Sequence, residues 1–235
     1  MEKPRVAAII PARGGSQGIP LKNLRTVGGI PLVGHAVNHA REAKLVDLVV
    51  ATSDNAEIRE VAEAHGAMTL GRPDELAHDN TWQEVDRLLV WAVEELEAQG
   101  ERVDVAVLLY PTSPLRTPEY VDKAVARILG EGFDSVLSLY QDMRYLWEIE
   151  GETPVPTNYD PCNRYPRQQE EWNQWAENKS VYATRVPLLK STGCRICGKV
   201  GHIEMPKWRS IDVDTFQDLD LAERLYRSDR GAQDD

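Results

Sequence analysis

A chain of 235 residues, 42% hydrophobic and 28% charged, can bury roughly 70–75% of its unfolded surface and needs no disulfide or metal staple. That balance excludes disorder, collagen and coiled coil as descriptions of the whole. Twenty-seven Lys and Arg stand against 38 Asp and Glu, a net charge of -11. This excludes a general nucleic-acid binder, whose phosphate contacts need basic surface, and disfavours an anionic membrane as partner.

Val6–Ile10 is a continuous apolar run ending at Pro11, the pattern of a strand buried on both faces. It is shorter than the ~7–15 residues of a signal-peptide core, and no stretch reaches the ~18 apolar residues of a membrane span. Three cysteines are too few, and odd in number, for a secreted disulfide scaffold. A soluble cytoplasmic protein is expected.

Leu32, Ala36, Val37 and Ala40 recur at helical spacing, and Val46–Ala51 reads as a second strand. Asp54 is placed to cap a helix over Ala56–His65. Val85, Leu88, Leu89, Ala92, Val93 and Leu96 give the strongest helical stripe. Val103–Leu109 reads as a third buried strand. Thr117-Pro118-Glu119 opens a helix with a cap, a first-position proline and an acid in the first turn, and Gly130 and Gly132 close it. Ser135–Leu139 is a fourth strand.

The pattern then breaks. Residues 141–180 hold Trp147, Trp172 and Trp175, several prolines and no clean period. They read as an excursion from the sheet, either an oligomer contact or a long loop with its own small core. The alternation resumes near Val181, with strands over Val200–Glu204 and Ile211–Asp214. Phe216, Leu219, Ala222 and Leu225 form a last helical stripe before the polar residues 228–235. Strands alternating with helices predict a three-layer, doubly wound α/β fold with a mainly parallel sheet. The main domain is expected over 1–140 and 181–227, the inserted arm over 141–180 and a flexible tail over 228–235.

Pro11-Ala12-Arg13-Gly14-Gly15-Ser16-Gln17-Gly18-Ile19-Pro20-Leu21-Lys22-Asn23 follows the first strand. Its glycines free backbone N–H groups to turn toward an anion, and Arg13 and Lys22 add two positive charges. It is neither a Walker A loop nor a dinucleotide fingerprint. This stretch resembles the N-terminal signature of the CMP-sialic acid synthetases. The likeness continues through Thr52-Ser53-Asp54, Arg72-Pro73 with Leu76-Ala77, Leu108–Arg116, Phe133–Val136, Arg167-Gln168-Gln169 and Ile211-Asp212-Val213-Asp214-Thr215 with Asp218-Leu219. Each piece is weak alone; the ordered set is specific and spans nearly the whole chain.

The resemblance implies a Rossmann-like nucleotidyltransferase that joins CTP to a nine-carbon α-keto sugar acid, releasing pyrophosphate. It implies that Arg13, Lys22 and the N–H groups of Gly14, Gly15 and Ser16 hold the triphosphate, with Asn23 beside them, and that Arg72 and Ala77 lie in the cytosine-reading segment. Tyr110, Thr112, Ser113, Gln168 and Asn178 would face the sugar, with Arg164 and Arg167 on its carboxylate. Asp212 and Asp214 lie two apart on a predicted strand, hence on one side, and would hold Mg²⁺, a hard ion that shares phosphate oxygens. Catalysis would fall to Arg13, Lys22 and Asp212, and the arm would make a homodimer.

Two positions depart from the family pattern. Tyr110 stands where many such synthetases carry Gln, which leaves the sugar open. Lys179 follows Asn178 where the usual residue is Gly, so the turn there is expected to differ. Cys194-x₂-Cys197 with His202 and Cys162 could supply four zinc ligands, although isolated thiols fit better. Kdo cytidylyltransferase, a nucleotidyltransferase acting on sugar 1-phosphates, and a non-catalytic nucleotide-binding module are the competing functions.

Overall fold

The computed structural model describes residues 3–15, 18–76, 82–162 and 173–231. In chain order its elements are β1 (Val6–Pro11), β2 (Thr26–Val27), β3 (Ile30–Pro31), α1 (Leu32–Glu42), β4 (Leu48–Ser53), α2 (Ala56–Ala64) and β5 (Met68–Gly71). There follow α3 (Trp82–Ala98), β6 (Val105–Leu108), α4 (Pro118–Glu131), β7 (Ser135–Gln141), β8 (Trp147–Glu150) and β9 (Thr153–Pro156). The chain ends with β10 (Trp175–Arg185), α5 (Val186–Thr192), β11 (Val200–Glu204) and α6 (Phe216–Gly231).

The described residues form a seven-stranded sheet in the order β11-β7-β10-β6-β1-β4-β5. β10 runs antiparallel to both its neighbours, and the remaining pairings are parallel. β1 lies inside the sheet between β6 and β4, and period two divides its side chains between the layers. Val6, Ala8 and Ile10 pack with α1, α2 and α4 through residues such as Val33, Val37, Ile58, Val121 and Ile128. Ala7 and Ile9 pack on the other face with Leu89, Val93 and Leu96 of α3 and Leu189 of α5. This is the expected doubly wound architecture. Each fully buried Ile or Leu contributes about 1.5–3 kcal/mol.

A third cluster joins Ile19, Val27 and Leu32 to Val213 and Ala222, with Leu219 and Tyr226 against it. It clamps the chain's last segment onto the glycine-rich loop. Gly18 makes that contact possible: a Cβ there would lie 2.3 Å from the Asp214 carbonyl oxygen.

Several local expectations change. Asn55, not Asp54, caps α2, its side chain accepting the Ile58 N–H. Residues 211–214 form no strand; they run without a ladder, and the Val213 N–H donates to the Thr112 carbonyl at 2.9 Å. β10 starts at Trp175, six residues before the expected resumption, and α6 continues to Gly231 through half of the expected tail. The described part of the excursion contains the β8–β9 hairpin, which turns at Gly151 with φ 66°. On it Tyr145 and Trp147 gather around Tyr159 at ring distances of 4.4 and 5.8 Å, while Ile149 stays 68% exposed. Gly130 lies inside α4, which ends at a left-handed Gly132.

Candidate active site

Open α/β sheets bind ligands beyond the carboxyl ends of their strands where the strand order reverses. Here the chain leaves β1 toward β4 on one side, and β6 pairs on the other. The loops after β1 and β6 therefore part, and β10 enters the sheet at the same end because it runs antiparallel. A cleft of about 490 Å³ opens there. Of the residues singled out by sequence, Arg13, Lys22, Asn23, Tyr110, Thr112, Asp212 and Asp214 line it.

The outer end of the cleft is a set of paired charges. Lys22 Nζ lies 2.8 Å from Asp214 Oδ1, and Lys179 Nζ lies 2.9 Å from Asp212 Oδ2. The two carboxylates thus face one cleft although no strand aligns them. Asn23 is buried, and its Nδ2 donates to the Arg13 carbonyl at 2.8 Å, fixing the width of the loop. The Gly14 N–H donates to Asp54 Oδ1 at 2.7 Å, so a carboxylate holds one of the donors assigned to phosphate. Gly15 is exposed at the loop's tip.

Leu21 (φ 50°) and Lys179 (φ 56°) are the non-glycine residues with left-handed backbone among those described. One immediately precedes a cleft lysine and the other is a cleft lysine. The turn at Lys179 therefore keeps a glycine-like conformation with a lysine in it, at a cost of roughly 1–2 kcal/mol. An exposed ion pair returns only about 0–1 kcal/mol. The Asp212 carboxylate holds the Lys179 ammonium above its ordinary range.

Apart from Tyr110, the inner end was not anticipated from sequence. Asp86 of α3 receives Arg195 Nη1 at 2.7 Å, with side chains only 9% and 10% exposed. The Arg195 guanidinium lies 4.8 Å from the Tyr182 ring centre. The Tyr182 hydroxyl donates to Glu177, and Tyr110 meets Tyr182 edge-on at 6.3 Å. Burial, then the bond to Glu177, pushes the Tyr182 hydroxyl well above the usual phenol range. Burial opposes the charge on Arg195, but Tyr110 and Asp86 outweigh it and raise the group. These residues come from a helix, a strand and two loops far apart in the chain. The one local signal was the arginine inside Cys194-Arg195-Ile196-Cys197, which the cysteines obscured.

Five expected site residues among those described do not line the cleft: Gly14 and Gly15 of the loop, and Arg72, Ser113 and Asn178. Ser113 and Arg72 are buried, and Arg72 Nη1 donates to the Leu76 carbonyl at 3.4 Å. Asn178 is buried too; it accepts from Ser138 and the Ser180 N–H and donates to Ser210 Oγ at 2.9 Å. Its side chain shapes the β10 bulge between Glu177 and Tyr182 instead of facing a ligand. Arg116 supports the same bulge, donating to the Ser180 carbonyl at 2.6 Å and to Tyr110 at 3.3 Å, and burial pushes its guanidinium down to about 9. Ser16, Ala77, Arg164, Arg167 and Gln168 lie outside the described residues.

The cysteines are free thiols. Cys194 Sγ donates to the Ile196 carbonyl at 3.2 Å, and no group of three His, Cys, Asp or Glu gathers to hold a metal among the described residues. No helix of the described residues is long and apolar enough to cross a membrane.

The cationic loop and the paired aspartates thus meet at the switch point of a doubly wound sheet. The family model described as cytidylyltransferase matches residues 7–190, and the chain belongs to that family. It is 34% identical over 228 residues to the N-acylneuraminate cytidylyltransferase of Oncorhynchus mykiss, covering 95% of this chain and 50% of the relative, so it spans about half that protein's length. It is 29% identical to the CMP-N,N'-diacetyllegionaminic acid synthase of Legionella pneumophila, covering 97% and 99% of the two chains. A solved CMP:2-keto-3-deoxy-manno-octonic acid synthetase complexed with CTP shares the fold, with TM-score 0.68, 16% identity and coverage of 96% and 99%.

Proposed function

We propose that this chain is a cytidylyltransferase that activates a nine-carbon α-keto sugar acid with CTP, giving the CMP-sugar and pyrophosphate. The observation that carries the reading is the convergence of Arg13, Lys22, Asp212 and Asp214 on one cleft at the switch point. The names of the relatives support it: they include sialic, legionaminic and pseudaminic acid activating enzymes.

The chemistry is an in-line attack of the sugar's anomeric hydroxyl on the α-phosphorus. Catalysis there is mainly positioning and charge neutralisation. Arg13 and Lys22 bind the triphosphate and draw charge from its oxygens. Asn23 holds the loop at the width the phosphates need. Tyr110 and Thr112, on the loop after β6, border the sugar. Tyr182, Glu177, Asp86 and Arg195 form a rigid polar wall at the inner end.

Mg²⁺ is the proposed cofactor. Two carboxylates without a third ligand fit it, because this ion keeps waters and completes its octahedron with substrate phosphates. Asp212 and Asp214 would hold it; when bound it neutralises phosphoryl charge and acidifies the attacking hydroxyl. The segment over 141–180, with its exposed aromatic hairpin, is proposed as the contact of a cytoplasmic homodimer.

Pyrophosphate release from CTP with a panel of sugars tests the reading. Turnover with a free nonulosonic acid is expected. Turnover with Kdo alone or with a sugar 1-phosphate alone would replace it, and nucleotide binding without turnover on any sugar would reduce the chain to a binding module. Light scattering near 26.4 kDa with full activity would remove the homodimer.

A further inference from the structure

The pairing of Asp212 with Lys179 is not explained by stability. The ammonium is delivered by left-handed backbone, which glycine would adopt without strain. The contact it makes is exposed, with 59% of the lysine side chain open to solvent, and such pairs are weak. Lys22 and Asp214 repeat the arrangement beside it, again next to a left-handed residue, Leu21. Each carboxylate of the pair therefore already carries a monovalent cation. The Asn178 and Arg116 bonds hold the bulge that presents Lys179, so the backbone beneath it is fixed while its exposed side chain carries the ammonium.

We propose that Lys179 is a resident cation that competes with the divalent ion for Asp212 and, once displaced, turns onto the oxyanions of the bound substrates. The ligand-free cleft is thereby kept electrically balanced without metal, and the metal enters efficiently only with an anion that receives the freed ammonium. The inference rests on the proposed function for the identity of that anion, a nucleotide phosphate or a sugar carboxylate. The competition itself can be read without turnover.

The test uses Mn²⁺ as the probe on the full ligand-free chain, with binding read by electron paramagnetic resonance or calorimetry. Lys179→Gly removes the ammonium and the backbone strain together, and Lys179→Asn removes the charge in a residue that tolerates left-handed backbone. Both should bind Mn²⁺ about tenfold more tightly than the parent, as expected when a cation beside a carboxylate is deleted, with unchanged or higher melting temperature. Lys179→Arg should bind like the parent. Adding Asp212→Asn to Lys179→Gly should abolish the gain.

Equal Mn²⁺ affinity in all these chains, or a gain that survives Asp212→Asn, overturns the proposal. In the turnover assay Lys179→Gly should raise KM, and the substrate affected identifies the anion: CTP for a phosphate, the sugar acid for its carboxylate. Unchanged KM values would overturn the hand-over. A parent chain inactive on every sugar, whose Lys179→Gly form still gains Mn²⁺, would instead remove the functional reading and leave the competition standing.

Discussion

The two ends of the cleft are built in opposite ways. At the outer end each lysine–aspartate pair has one open partner, Asp214 at 61% and Lys179 at 59% exposed, beside Lys22 at 15% and Asp212 at 23%. At the inner end Asp86 and Arg195 are sealed under Tyr182. Open pairs are weak and exchangeable, which suits charges that must let go of each other to meet phosphate and metal. A sealed pair is costly to break, because the survivor is left charged and dry, which suits a wall that must not move. The same two residue classes thus serve exchange at one end and rigidity at the other, and burial decides which.

From that contrast, losses at the outer end fall on turnover and losses at the inner end on stability. The largest effect is expected from Asp212→Ala: at least a hundredfold loss of kcat, about 3 kcal/mol, with the melting temperature held within a few degrees. Near-normal turnover at saturating Mg²⁺ would break the contrast at its outer end.

Asp86→Ala should cost about 3 kcal/mol of unfolding free energy, the range seen when one partner of a buried pair is removed. Denaturant titration measures it, and a loss below about 1 kcal/mol would make the inner pair no different from the outer ones. Lys22→Ala should lower kcat/KM by about tenfold or more, about 1.4 kcal/mol or more, and leave the denaturation midpoint alone. Unfolding without a loss of activity per folded molecule would make Lys22 structural.

The smallest effect concerns the start of α6. Thr215 and Asp218 form a capping box: the Thr215 N–H donates to Asp218 Oδ2 at 2.8 Å, and the Asp218 N–H donates to Thr215 Oγ1 at 3.2 Å. Burial works against the Asp218 carboxylate, but the Thr215 bonds outweigh it and lower its pKa below the ordinary value. Its contribution is therefore present above the unfolded carboxylate value and fades as pH falls through the lowered one. Asp218→Ala should cost about 1 kcal/mol at neutral pH, and the difference should vanish in acid. A difference independent of pH would detach it from the carboxylate.

The outer end was legible because its residues sit in short local signatures: Arg13 to Asn23 is one stretch, and Asp212 and Asp214 another. The inner end was not, because α3, β10 and the loop after α5 contribute its members and no spacing links them. The interior strands β1, β4 and β6 were legible through their apolar runs, whereas the four-residue edge strand β5, Met68–Gly71, has no such run and was not read. The β8–β9 hairpin was not, since Trp147-Glu148-Ile149-Glu150 is exposed on the chain's own surface and lacks a core to set against its polar positions. Residues 211–214 misled through alternation. Val213 is buried between two aspartates as a strand residue would be, yet its N–H is taken by a loop carbonyl and no neighbouring strand is there to pair it.

The place of β10 also sets an order of events during synthesis. β1, β4, β5 and β6 can pair as they emerge, but β7 has no partner among them: its neighbours in the sheet are β10 and β11. Until Arg185 has left the ribosome, the half-sheet therefore ends at β6 with an open edge, and β7 waits as an unpaired strand. β10 then enters between them, antiparallel, and closes both gaps at once. Long-range pairings of this kind are slow to form and leave edges exposed while they wait. Because the same strand carries Glu177, Lys179 and Tyr182, a nascent chain acquires this wall of the cleft in the step that completes its sheet.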